Sequence, residues 1–232
     1  MKASKMLLPR SARTTLLAGA LLALPSTAGA AALAPSGACY LMEPTQGLAM
    51  PINATASGLA AGQSVSLRLS RKGVVAGTSP AAAADAAGNL SLSLTAWSLS
   101  LGSAPSKEVA GTLEVIDTAS GAVVPGASAE VSIANLNYSV SGSRGLRTWK
   151  IQGLAALSGN ATYYAHYFNN GKYKGRLKIG TGKGACGYLN TKRPLTPFSK
   201  IGRYDVVIQA SKTYNADLPG FKGSVKVTKR YR

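Results

Sequence analysis

ATYYAHYFNNGKYKGRLKIGTGKGACGYLNTKRPL, residues 161–195, holds the only His, one of the two Cys, an Asn-Gly pair and much of the positive charge. Thr162 to Phe168 is almost all aromatic or β-branched. Such residues fit a pleated surface, so this run reads as a strand. Asn170-Gly171 follows, and a type I′ hairpin turn needs the positive φ that Asn and Gly supply. Lys172 to Ile179 then alternates charge with Tyr173, Leu177 and Ile179, as a second, half-exposed strand would. Period two sends Tyr163, Ala165 and Tyr167 one way and Tyr164, His166 and Phe168 the other. Aromatics on both faces predict a central strand, covered on both sides. Gly180, Gly182, Gly184 and Gly187 form a flexible segment around Cys186. No Gly-Lys-Ser/Thr ends it, so it is a hairpin connection rather than a phosphate loop.

Upstream, the chain opens with an export signal. Lys2, Lys5, Arg10 and Arg13 precede the apolar run Leu16 to Leu24, Pro25 closes it, and Ala28-Gly29-Ala30 supplies small residues for cleavage. Residues 1–30 therefore read as a secretory signal peptide, with an uncleaved anchor as the alternative. Position 36 is Ser where a lipobox before Cys39 would want Leu, so no lipid anchor is expected. No later stretch is long and apolar enough to span a bilayer, so the mature chain is expected outside the cytoplasm, secreted or surface-associated.

Ala, Gly and Ser are abundant, and no helical periodicity is sustained. Charge is spread very unevenly. Residues 31–135 carry Arg68, Arg71, Lys72 and Lys107 against six acids, a net of −2. Residues 136–232 carry 18 Lys and Arg against only Asp205 and Asp217, a net of +16. Such asymmetry marks the second half as the side that meets something anionic, although a high pI also serves solubility alone.

Several short alternating runs punctuated by turns fill the first half. Ser64 to Ser70 places Val65, Leu67 and Leu69 inward; Asn89 to Thr95, Val109 to Asp117 and Ala127 to Ala134 follow the same rule. Ala31 to Met50 reads as a Pro-containing lead-in. SGLAAGQSVSLRL (57–69) and DAAGNLSLSL (85–94) resemble bacterial Ig-like repeats of surface and secreted proteins. The charge regime changes over Leu136 to Gly145, which marks the junction. Beyond it Trp149 and Ile151 share a face, Tyr204, Val206 and Ile208 alternate inward, and Val225 and Val227 flank an outward Lys226. TYYAHYF, GACGYLNTKRPLTPF (184–198) and GRYDVVIQASKTY (202–214) resemble secreted two-domain Ig-like β proteins of high-GC Gram-positive bacteria. That resemblance implies an export signal and two β domains, and implies no activity. The expected fold is all-β: two tandem Ig-like antiparallel β-sandwich domains, residues 31–135 and 136–232, after the signal peptide.

Chemistry is sparse. Cys39 and Cys186 are an even pair in an exported chain, so a disulfide between the two domains is the first expectation, buried free thiols the second and a reactive thiol the third. Cys186 and His166 can be drawn as nucleophile and base, yet Gly184-Ala185 precedes the Cys and no second His exists. The scattered carboxylates fit turns and strand ends better than a glycosidase pair, and one His with two Cys is a poor zinc set. No cofactor or metal is expected. The sequons at Asn53, Asn89 and Asn160 carry little weight in a bacterial-looking chain.

What remains is a basic, aromatic surface. Alternation puts Lys172, Lys174, Arg176 and Lys178 in one row, with Lys183 in the following loop and Tyr173 and Tyr188 nearby. Lys192 and Arg193 extend the set, and with Lys200 and Arg203 they flank Pro194 and Phe198. A row of this kind tracks polyanion charges, and it equally protects an exposed sheet edge from pairing. The expectation is a non-enzymatic protein whose second domain binds an anionic envelope polymer or extracellular polyanion, with nucleic acid bound only non-specifically. A spacer without a ligand is the alternative, and a cysteine-dependent envelope enzyme the least favoured.

Overall fold

In the computed structural model, residues 30–43, 48–101, 106–142 and 145–228 are described; apart from Ala30, the segment expected to be an export signal lies outside them. The described chain is almost entirely β. The alternating runs of the first half form β5 (Ser64–Arg71), β8 (Leu90–Leu94), β9 (Val109–Asp117) and β10 (Val123–Asn135). Val65, Leu67 and Leu69 are fully buried, as period two requires. Short strands β6 (Val74–Thr78) and β7 (Ala82–Ala83) pair with β5.

The lead-in is not a lead-in. It supplies β1 (Ala32–Pro35), β2 (Cys39–Glu43) and β3 (Leu48–Ala49), and β4 (Ile52–Ser57) follows at once. β1 pairs with β4, while β2 pairs in parallel with β10, its partner far down the chain. β2 also makes a short antiparallel ladder with β3, but its longer pairing is with a strand too distant for local reading to find. Two sheets result: β1-β4-β8, and β3-β2-β10-β9-β5-β6 with β7 beside β5. Ile52, Leu94, Trp97, Leu113 and Ile133 fill the space between them.

After Leu136 the pattern restarts in a second sandwich. β11 (Asn137–Ser141), β12 (Leu146–Gln152) and β15 (Leu189–Pro194) form one sheet. The other has the order β14-β13-β16-β17, with β13 (Thr162–Asn169), β14 (Lys172–Thr181), β16 (Gly202–Gln209) and β17 (Gly220–Val227). Every pair in this half is antiparallel. Among the described residues, no sheet combines strands from before and after Leu136. A short helix, α1 (Leu154–Ser158), bridges β12 and β13. β15 escapes sequence reading because Leu189 is its only buried side chain and Lys192-Arg193-Pro194 ends it. Asn170 and Gly171 have φ of 50° and 71°, the pair of positive values that the turn needs. Trp149, Tyr163, Tyr167, Ile179 and Ile208 make the core. The Tyr163 hydroxyl donates to the Gly187 carbonyl and that of Tyr167 to the Leu195 carbonyl, each at 2.5 Å. Burial pushes the Tyr163 phenol up to about 12 and that of Tyr167 higher still.

The two sandwiches are joined by a defined seam. Cys39 on β2 is bonded to Cys186, with Cα atoms 5.3 Å apart. Leu41, Ala134 and Cys186 are buried together, with Leu136 and Leu157 against them. The Glu108 carboxylate accepts from the backbone N–H groups of Cys186 at 2.7 Å and Ala185 at 3.1 Å. The Gln152 side-chain carbonyl accepts from the Ser106 N–H at 3.1 Å. Hydrogen bonds from backbone N–H to a carboxylate are of the stronger, charge-assisted kind. The glycine segment is therefore not slack. Lys183 and Tyr188 exchange two backbone hydrogen bonds, of 2.9 and 2.8 Å, and fold the segment into a tight loop with Cys186 near its tip. Gly184, at φ +75°, lies so close to Glu108 that any Cβ there would collide with the carboxylate.

Candidate functional site

The four-stranded sheet of the second sandwich has one face in the core and one outward. Register assigns the outward face. Tyr164, His166 and Phe168 of β13 point away from the buried Tyr163, Ala165 and Tyr167. Their register neighbours share that side: Lys178 and Gln209 beside Tyr164, Arg176 and Val207 beside His166, Tyr173 and Asp205 beside Phe168. One strand further, Lys222 stands opposite Val207, Ser224 opposite Asp205, and Lys226 opposite Arg203. Arg176, Lys178, Arg203, Lys222 and Lys226 are all exposed, and Asp205 is the only carboxylate in these register rows. Adjacent strands lie about 4.8 Å apart, so four strands spread these charges over roughly 15 Å. Like charges directly opposite each other destabilise a strand pair, and Arg203 opposite Lys226 is such a pair.

The middle of the face is aromatic. His166 is fully buried although it sits on the outward side. Tyr173 and Tyr214 cover it, with ring centroids 6.1 and 5.7 Å from the imidazole. Phe168 packs on both, at 5.5 and 4.8 Å. His166 Nε2 lies 3.0 Å from the Ser211 carbonyl and Nδ1 lies 3.4 Å from the Tyr173 hydroxyl. A carbonyl only accepts, so Nε2 carries the proton and Nδ1 accepts from Tyr173. Burial lowers the imidazole pKa and the nearby Arg176 lowers it further, while the Ser211 carbonyl opposes both. The ring is thus neutral at physiological pH and anchors the 211–214 loop to the sheet. Tyr173 itself is 46% exposed, the one large aromatic of this group open to solvent.

This arrangement corrects the single row read from the sequence. The β13–β14 ladder shifts register between Tyr167 and Phe168 and again between Tyr163 and Tyr164. At the first shift Lys174 has no register partner, and alternation inverts across it. Tyr173 therefore joins Arg176 and Lys178 on the outward face, while Lys172, opposite Asn169, falls on the other side. Lys183 and Tyr188 belong to the loop at the seam between the sandwiches. Lys192 and Lys150 point outward from the opposite sheet, and Arg193 shares the inward side with Arg147, its Nε donating to the Ile179 carbonyl at 3.0 Å. The nine binding residues expected from sequence are therefore spread over several surfaces. Arg203, Lys222 and Lys226 complete the charged face; Arg203 was expected only as a flank of Phe198, and none of the three was in that set. Their outward alternation was legible, but not the pairing of β16 and β17 that sets them beside β13.

Cys186 and His166 do not form a nucleophile and base. The thiol is consumed in the disulfide at the seam, and both imidazole nitrogens are engaged on the outward face.

No family model matches this chain, and no curated protein matches it. Among solved structures it is similar over 85% of its length to the BSP domain of a biofilm-associated protein, at 12% identity, TM-score 0.27 and 30% of that chain. It is similar, also over 85%, to a tetra-tandem repeat in the extending region of a large adhesion protein, at 14% identity, TM-score 0.28 and 49% of that chain. The chicken CNTN1 FN1–FN3 domains match over 84% of this chain and 65% of theirs, at 11% identity and TM-score 0.26. The chain thus spans less than two thirds of each. Similarity at this level carries no argument about function, and the Ig-like sandwich assignment rests on the sheets themselves.

Proposed function

We propose that this is a non-enzymatic extracellular protein that binds an anionic polymer of the cell envelope or surrounding matrix through the outward face of its second sandwich. The observation that carries the reading is the charge arrangement across β14-β13-β16-β17. Five exposed cations face one carboxylate, and two of the cations stand directly opposite each other. A sheet pays for that repulsion unless an anion relieves it. Export is supported by the Cys39–Cys186 disulfide, because such bonds persist in oxidising compartments.

Retention of the protein on purified anionic envelope polymer across a salt series tests the reading. The expected result is retention at moderate salt, lost when Arg176, Lys178, Lys222 and Lys226 are changed to Gln. Equal, weak retention on neutral and anionic material would overturn it. The seam favours a second reading, a stapled spacer, because disulfide, buried cluster and Glu108 hydrogen bonds all restrain the two sandwiches against each other. Under that reading the quadruple variant behaves like the native protein in every binding assay.

A further inference from the structure

The second sandwich is open along one side. Between the edge strands β11 and β17 a cavity of about 470 Å³ reaches down toward the core. Tyr138, Val140, Trp149, Val206 and Val225 give it an apolar lining, and Arg147 forms part of its wall. Arg147 Nε and Trp149 Nε1 are both buried without a hydrogen-bond partner among the described residues. A buried donor is normally paired, and a guanidinium stays charged at any physiological pH. Neither Asp205, on the outward face, nor Asp217, in an exposed loop, lines this cavity. The register partner of Arg147 is another cation, Arg193, which adds repulsion in place of neutralisation.

The geometry points to a ligand site for a small amphipathic carboxylate, its head on Arg147 and the Trp149 N–H and its apolar body along Val140, Val206 and Val225. Each part of the wall selects one feature of such a molecule. Two donors without an acceptor ask for an anion, and Arg is suited to a planar carboxylate. Apolar walls with a few convergent polar groups are the usual composition of a small-molecule site. Apart from Ser224, no residue of the charged outward face lines the cavity, so the site stands or falls independently of polymer binding.

The test is a titration of the full chain carrying Trp97→Phe, in which Trp149 is the only remaining tryptophan, with sodium decanoate, decanol and acetate as probes. The expected result is saturable, one-to-one quenching of Trp149 by decanoate. Binding of decanol should be at least tenfold weaker, with no effect of acetate at the same concentrations. Arg147→Met should weaken decanoate at least tenfold, and Val225→Phe, which fills the cavity, should abolish it. Absence of saturation, equal binding of decanoate and decanol, or undiminished binding to Arg147→Met would overturn the proposal. The comparison of decanoate with decanol needs no further variant, so it decides the matter even where a substitution impairs folding.

Discussion

His166 shows how one residue can be read for chemistry and turn out to organise a surface. Sequence offers it as a base for Cys186; the fold buries it under Tyr173 and Tyr214 with both nitrogens bonded. Its folded pKa is below the ordinary 6.5, so below that pH the unfolded chain binds more protons than the folded one. Stability at His166 is therefore complete above 6.5 and is lost as pH falls from 6.5 toward the folded pKa. Thermal melts should show the melting temperature falling as pH drops from about 7 to about 5. In His166→Gln that slope should flatten, with the whole curve lowered by about 1 kcal/mol for the lost hydrogen bond. Asp117 acts in a separate window. Hydrogen bonds from the Gln63 side chain and from Ser120 hold its carboxyl down at about 2, so its contribution is lost only as pH falls below 3.8.

At the scale of elements, the strands that alternate over several residues were legible and those defined by distant partners were not. β5, β9 and β12 declare themselves through Val65 and Leu69, Leu113 and Val115, and Trp149 and Ile151, because a buried face repeats every second residue. β2 and β15 carry no such repeat, and the strands that hold them in their sheets, β10 and β12, are far away in sequence. The charged row failed for a different reason. A bulge is a count of two residues against one on the partner strand, so it exists only in the pairing. Gly175 and Gly180, inside the strand, were the available hint, since glycine within a strand often marks such an irregularity. The turn before them was read correctly and can be tested. A Cβ on Gly171 meets nothing within 4 Å, so Gly171→Ala isolates the backbone strain of φ +71°. Chemical denaturation should show a loss of about 1–2 kcal/mol.

For the whole molecule, the seam matters most. Cys39 and Cys186 are 147 residues apart in sequence, and cross-linking so long a loop restricts the unfolded chain strongly. Replacing both by Ser should lower stability by about 2–5 kcal/mol in denaturant titrations. Scattering in solution should report whether the remaining contacts, Glu108 with the Cys186 loop and Gln152 with Ser106, still hold one arrangement. A single unchanged envelope is expected, because those contacts do not depend on the sulfur atoms. Charge asymmetry, the strongest whole-chain signal in the sequence, pointed to the second half but not to one face of it. It took strand pairing to bring Arg203, Lys222 and Lys226 alongside Arg176 and Lys178.

The most direct test of that face is the salt dependence of binding to duplex DNA, used as a polyanion of known charge spacing. Each cation that contacts a phosphate adds about one unit to the slope of log affinity against log salt. Changing Arg176, Lys178, Lys222 and Lys226 to Gln should reduce the slope by about 3–4, while changing Lys150 and Lys192 on the opposite sheet should leave it unaltered. An unchanged slope in the first variant, or an equal reduction per charge in the second, would contradict the assignment of the outward face.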